Sequence, residues 1–290
     1  MQTSLHGSHN GHTDGVGQLL SNNGASFSSQ ARSDAATFSF AGDLRGALAW
    51  SRGGDILYVA DTGFNCIRRI YLRGSLNVST IAGNPAYLGS SDGLGTSAKF
   101  DKPTDISLGP DESYALVIDG DASGRIRRIL LTGSTPYAVT TLVAHDSSLW
   151  EKLAGIVHVS ASTAIFAARR SVHELVIETG AIHLIAGNSS GLPGPEDGMG
   201  ASSTFVGIRH IDAVPGGSTV LVADKGTELH NVFRRVSFAR TTAGLIRSAN
   251  VTSIQGANGF GNTVNRVRGI AMFPDGTSPD TDPVQQYNEW

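Results

Sequence analysis

A single cysteine, Cys66, occurs in the 290 residues. No internal disulfide can form from it, and CxxC zinc or redox motifs are excluded. No apolar run approaches the ~18 residues of a membrane span. The opening stretch, MQTSLHGSHNGHTDG, has no apolar core of the kind a signal peptide carries. These absences leave the compartment unknown. Charge is also scarce, at 16% of residues, with a formal net charge of −3. A dedicated nucleic-acid binder normally carries a basic surplus, so only a local patch could serve that role. Finally, no ten-residue apolar stripe of helical period is found, and the apolar runs are short and β-branched.

What the chain has in quantity is glycine, 36 residues, within a composition that is 40% hydrophobic. That is enough to bury a core, as one large domain or two small ones, with many turns. Three N-x-S/T sequons start at Asn77, Asn188 and Asn250, about as many as chance supplies in a Ser/Thr-rich chain.

One pattern recurs. LYVADTGFNCIRRI, from Leu57 to Ile70, is an apolar run ending in Asp61, a polar corner, and a second run with paired arginines. ALVIDGDASGRIRRI, Ala115 to Ile129, and VLVADKGTELHNVFRRV, Val220 to Val236, repeat it. AIFAARRSVHELVI, Ala164 to Ile177, is a degenerate copy without the aspartate. A β-branched run follows each copy, centred on Ile81, Leu142, Ile185 and Ile254. A DGxG element starts at Asp14, Asp92 and Asp197, and a further apolar run precedes each motif. A period of roughly 40–50 residues with variable insertions indicates a propeller or solenoid. Four short strands per unit predict antiparallel blades, hence an all-β β-propeller with about four complete blades and part of a fifth. Asp61 is expected to accept N–H bonds from its own turn, with Gly63 supplying a positive φ if the turn needs one. Arg68 and Arg69 should point to opposite faces.

SDGLGTSAKFDKPTDISLGPDESYALVIDGDASGRIRRI and LYVADTGFNCIRRI are similar to the pattern of NHL-repeat proteins: the DGxG connector, a Phe, a Pro, the V-x-D strand end and the I-R-R-I strand. The resemblance covers roughly residues 38 to 276, with two strong copies, one fair and one poor. It implies the fold more firmly than a function. NHL propellers serve as protein-binding, RNA-binding and sensor modules, and a few relatives are lyases or esterases.

Residues 1–13 are expected to be a disordered start and 14–276 the propeller, with a flexible Ser/Ala/Asn-rich insertion at 21–36 and a polar tail at 277–290. Because the chain starts inside a connector and stops after an inner strand, it is expected to be a fragment, or its ring to be incomplete.

Most chemical motifs reduce to loops. GSSDG around Ser91 and GNSSG around Ser189 fit G-x-S-x-G but lack the strand-to-helix elbow that makes such a serine nucleophilic. DGDASG, from Asp119, begins like an EF-hand loop, but Leu130 stands where a bidentate Glu is required. No cofactor is predicted; a corner loop of this kind leaves calcium as a minor option. His6, His9 and His12 read as a solvated tail, and His158, His173, His183 and His210 as scattered structural or surface histidines. Some NHL relatives that are amidating lyases use His ligands for zinc, and no matching set is visible here. Cys66 reads as a small apolar filler.

The constellation that stands out is positional. Aligning the inner strands gives a column of Arg45, Thr104, Ala154, Arg209 and Arg268, followed by Gly46, Asp105, Gly155, His210 and Gly269. The corners Asp61, Asn65, Asp119, Asp121 and Lys225 are expected to open on the same face. Arginines there could clamp an anionic ligand or a partner's acidic residue, or instead pair with the corner aspartates and stiffen the scaffold. The expected function is a non-enzymatic module that binds a protein or other macromolecule. A propeller hydrolase or lyase with a channel metal would need more ligands than Asp105 and His210. RNA binding through the arginines is disfavoured by the acidic balance and by the lack of aromatics beside them.

Overall fold

The computed structural model describes residues 15–16, 36, 38–39, 47–73, 77–120, 124–147, 150, 152–188, 193–225, 232–241 and 244–254. They form four antiparallel sheets, and each sheet is a blade of the expected β-propeller architecture. Two compact units share them, Met1–His145 and Asp146–Trp290.

The first unit holds two blades. Blade 1 is built from β1 (Gly15–Val16), β2 (Leu48–Trp50), β3 (Ile56–Asp61), β4 (Cys66–Tyr71) and β5 (Asn77–Gly83). Blade 2 uses β6 (Gly93–Leu94), β7 (Pro103–Leu108), β8 (Tyr114–Asp119), β9 (Arg125–Leu130) and β10 (Ala138–Val143). In the second unit, blade 3 comprises β11 (Leu153–His158), β12 (Thr163–Ala168), β13 (Ser171–Val176) and β14 (Ala181–Gly187). Blade 4 comprises β15 (Gly198–Met199), β16 (Ile208–Ala213), β17 (Thr219–Asp224), β18 (Val232–Arg240) and β19 (Ile246–Ser253).

The four long strands of each blade pair in sequence order. The DGxG connector does more than connect. Its Gly-x pair forms a short fifth strand, hydrogen-bonded to the outermost long strand: β1 on β5, β6 on β10, β15 on β19. Blade 3 has four strands among the described residues, because the chain between β10 and β11 is short and has no DGxG.

Burial follows position in the blade. From their second residue on, β3, β8 and β17 are buried throughout, as strands covered on both faces must be. The outermost strands β5 and β14 begin exposed and end buried at Ile-Ala-Gly. Those closing glycines are required twice over. Gly83 and Gly187 have φ of 91° and 83°, and a Cβ on Gly83 would lie 2.6 Å from Asn65 O. In the first unit, Tyr58, Ala60, Ile67 and Ile81 of blade 1 pack with Phe100, Ile106, Val117 and Ile129 of blade 2. In the second, Ile165, Val172 and Ile185 of blade 3 pack with Phe205, Ile211, Val222 and Val236 of blade 4.

Residues 1–13, most of the insertion at 21–36, the tail at 277–290 and the partial fifth blade lie outside the described residues, as do His6, His9, His12 and Ser189. Ser91 is exposed and precedes β6 and a 3-10 turn at Gly95–Ser97, with no elbow. Cys66 is a buried free thiol at the start of β4. No helix among the described residues is long and apolar enough to cross a membrane.

Candidate functional site

The corner aspartates end their strands inside the protein. Asp61 and Asp119 are fully buried and Asp224 nearly so. Each meets the first arginine of the paired motif, which is also fully buried: Arg68 to Asp61 at 3.2 Å, Arg127 to Asp119 at 2.8 Å, Arg234 to Asp224 at 3.5 Å. The alternation of a strand produces this. Arg68 lies opposite Val59, two residues before Asp61, so both side chains share a face. The second arginine points the other way. Arg69 lies over the Tyr71 ring at 4.6 Å and donates to the Tyr137 hydroxyl at 2.5 Å.

The aspartates' remaining bonds bind the corner to the segment before an inner strand. Asp61 accepts from Ser39 N at 2.9 Å and from Phe64 N of its own turn. Asp119 accepts from Asp101 N, and Asp224 from Val206 N and Gly207 N at 3.1 and 2.7 Å. The bond from Phe64 N is the turn bond expected for Asp61, and the bond from Ser39 N adds a longer-range one that makes the corner a clasp. The positive φ falls on Asn65, at 52°, and not on Gly63. Gly63 is required for a different reason: its N–H bonds Ser39 O at 2.8 Å, and a Cβ would come within 2.7 Å of that oxygen.

The DGxG aspartate completes the clasp from outside. Asp92 accepts from Arg127 Nη2 at 2.9 Å and from Thr141 N and Oγ1; Asp197 accepts from Arg234 Nη2 at 2.8 Å and from Ser253 N and Oγ. Each guanidinium lies over a ring, Phe38, Phe100 or Phe205, at 4.7, 5.1 and 5.2 Å. The electrostatics separate inner from outer carboxylate. Burial lifts Asp61 to about 6, against the pull of Ser39 N–H and Arg68, and lifts Asp119 and Asp224 in the same direction. Partial burial pushes Asp92 and Asp197 up, but the Thr141 or Ser253 donors and the arginine outweigh it and hold both below the ordinary value.

Blade 3 replaces this chemistry. Ala168 takes the aspartate position, His173 the buried arginine and Glu174 its neighbour. His173 stacks on Phe166 at 5.0 Å with rings 8° apart and meets Trp150 edge-on at 6.3 Å. Its Nε2 bonds Ser171 Oγ at 2.8 Å while Nδ1 is buried without a hydrogen-bond partner. Desolvation lowers its pKa to about 4, so it is neutral. Glu174 is buried and accepts from Ile246 N of blade 4 with both oxygens.

The column read from the inner strands is a column of β-bulges. Register shifts between Pro103 and Asp105, Leu153 and Gly155, and Ile208 and His210 leave Thr104, Ala154 and Arg209 as the extra residues. A bulge re-aims its side chain, and Arg209 is exposed. In the second unit Lys225, also exposed, donates its backbone N–H to Gly207 O at 3.0 Å, so the Asp224 clasp fixes the backbone of the corner beside the start of the strand that carries Arg209 and half-buried His210. In the first unit Asn65 Oδ1 accepts Lys102 N at 3.0 Å, Thr62 Oγ1 donates to Pro103 O at 2.7 Å, and Asp105 is buried with Ile106 N on its Oδ1. Asp61 and Asp119, grouped with the exposed candidates from the sequence, sit inside the clasp with Arg68 and Arg127. Arg45, Asp121 and Arg268 lie outside the described residues. The sequence reading missed the Asp–Arg–Asp clasp and the Phe166–His173–Trp150 cluster. The signal for the first was present, since both acids and the arginine recur with the repeat. Among the described residues, no three His, Cys, Asp or Glu side chains are grouped to hold a metal ion.

No protein-family model and no curated protein matches the chain. Solved structures do resemble it. One is a structural genomics protein of unknown function from Bacteroides thetaiotaomicron, 14% identical over 72% of this chain and 47% of that one, with TM-score 0.50. Another is an auxiliary nutrient binding protein from Bacteroides ovatus, 15% identical over 72% of this chain and 46% of that one, also at TM-score 0.50. A nidogen/laminin complex matches at TM-score 0.45 with 16% identity over 66% of this chain and 59% of that one, and nothing below rests on it. This chain thus spans about half the length of the first two structures. At such identity the likeness speaks for the fold alone, and the fold is that of a β-propeller.

Proposed function

We propose that this chain is an NHL-type β-propeller module, non-enzymatic, which binds a protein through the corner-bearing ends of its blades. The observation that carries the reading is the clasp. Asp224, held by Arg234, pins Val206 and Gly207 and thereby sets the Arg209 bulge and the Lys225 corner as a pre-organised cationic edge. Loops fixed on a rigid scaffold lose little entropy when they bind, and exposed Arg and Lys favour acidic groups on a partner. The NHL assignment rests on the recurring DGxG, V-x-D and I-R-R-I elements, whose side chains meet in the clasp.

The test is capture of a partner on immobilised protein, compared with an Arg209→Ala/Lys225→Ala double variant. A partner retained by the native chain and lost by the variant supports the reading. A stoichiometric transition metal in the purified protein would favour the hydrolase or lyase alternative instead. Polynucleotide binding at moderate salt that disappears with Arg209→Ala would favour RNA.

A further inference from the structure

Three blades have their outer edge covered from within the chain. The same two-residue unit does it each time: Gly15–Val16 on Val78 and Asn77, Gly93–Leu94 on Val139 and Ala138, Gly198–Met199 on Val251 and Asn250. In blades 2 and 4 the preceding aspartate adds a bond to the next outward-facing N–H, that of Thr141 or Ser253. In blade 3 the corresponding strand, β14, is hydrogen-bonded to β13 alone among the described strands, while β19 of blade 4 packs against it.

Register identifies what is left open. Leu175 of β13 faces Ile182 as Ile129 faces Val139 in blade 2, and His173 faces Leu184 as Arg127 faces Thr141. The residues equivalent to Val139 and Thr141 are therefore Ile182 and Leu184. In this alternation the N–H and C=O of Ile182 and the N–H of Leu184 point away from β13. The upper part of β14 is packed by the 3-10 turn at Gly200–Ser202, and Gly187 N bonds Ser203 Oγ. The stretch Ala181–Leu184 remains, with Ala181, His183 and Leu184 exposed, Leu184 at 44%. Proteins usually blunt such an edge with lysine, proline or a covering segment, and Ala-Ile-His-Leu contains neither residue.

We infer that the outer edge of β14 is a strand-addition site, which takes an extended peptide segment of a partner protein, antiparallel, carrying the Asp-Gly-apolar-Gly pattern. The chain itself supplies the template for the occupant. Glycine lets the backbone approach, the apolar residue after it lies at the exposed rim beside Ala181, and the aspartate reaches the open Leu184 N–H. Main-chain bonds provide the affinity and the side chains the selectivity, as in other strand-addition complexes. This surface is separate from the corner edge of Arg209 and Lys225, and neither reading depends on the other.

The probe is a labelled peptide with the sequence of residues 89–100, GSSDGLGTSAKF, titrated with the full chain and followed by fluorescence anisotropy. Saturable binding is expected, weakened about tenfold or more by Leu184→Glu, which sets a like charge against the peptide's aspartate at an exposed position and leaves the core intact. Peptide N-methylated at the two glycines flanking the Leu, whose N–H groups face the edge, should not bind. Replacing residues 144–149 by the sequence of residues 84–99 should cover the edge in cis and abolish binding, with circular dichroism confirming the fold. The proposal is overturned if the native chain does not bind, or if the Leu184→Glu and grafted chains bind as well as it does. It is equally overturned if sedimentation shows a dimer through β14 that Leu184→Glu dissociates while the peptide has no effect.

Discussion

Blades 2 and 3 fill the same interior position in opposite ways. Blade 2 buries a full guanidinium and holds its two Nη groups with Asp119, Asp92, Ser91 O and Lys99 O against the Phe100 face, while Nε is buried without a hydrogen-bond partner among the described residues. Blade 3 buries a neutral imidazole between Phe166 and Trp150 and needs no counter-charge. The clasp gives directional bonds that tie connector, corner and strand together, at the cost of desolvating ions. The aromatic cluster gives packing without direction, and among the described residues blade 3 lacks the connector aspartate and its short strand as well. An ion pair inside a blade is therefore a device for locating loops more than for cohesion, since blade 3 buries its strands as deeply without one.

Removing one partner should break that comparison most severely. Arg127→Ala strands Asp119 in the interior and is expected to destabilise the protein by about 3–5 kcal/mol, read by denaturant unfolding. Placing a carboxylate where blade 3 has none comes next. Ala168→Asp should cost about 3 kcal/mol by burying an unpaired acid, and adding His173→Arg should recover about 1 kcal/mol or more if the clasp can be transplanted. No recovery would show that the missing connector aspartate is indispensable.

Acid separates the blades by sign. The folded His173 value lies near 4, below its unfolded 6.5, so its contribution is intact above 6.5 and is lost as pH falls through that window, up to about 3 kcal/mol. Asp61 works oppositely: raised from 3.8 to about 6, its contribution is full below 3.8 and fades as pH rises to 6. Urea midpoints from pH 4 to 7 should therefore lose their His173 slope in His173→Phe and steepen in Asp61→Asn. The smallest effect belongs to the outer acid. Asp92→Asn keeps its acceptor oxygen and is half exposed, so about 1 kcal/mol is expected from unfolding midpoints.

Much of this was legible in the residues. The repeated apolar runs pointed to the strands, and three copies of V-x-D followed by paired arginines, two of them in I-R-R-I, pointed to the blades. The missing aspartate in AIFAARRSVHELVI marked blade 3 as a degenerate copy. Pairing across the corner was harder to see. Asp61 to Arg68, Asp119 to Arg127 and Asp224 to Arg234 differ in sequence spacing because the corners differ in length, and only strand pairing brings each arginine onto its aspartate's face. Thr104, Ala154 and Arg209 of the aligned column do share one position among the described residues, but its character as a bulge depends on hydrogen-bond register, which residue type does not report. In the His173 cluster Trp150 follows the repeat, three residues before β11 as Phe100 and Phe205 stand before β7 and β16, whereas Phe166 has no aromatic counterpart in the other blades.

The short strand contributed by each connector also sets an order of events at the ribosome. In blades 2 and 4 the chain emits the outermost piece first, then the innermost, and works outward until the last strand returns to meet the first. Neither blade can be finished until Thr141 or Ser253 has emerged, roughly fifty residues after the aspartate that waits for it. Blade 3 has no such appointment to keep, and its assembly is complete on the arrival of Gly187.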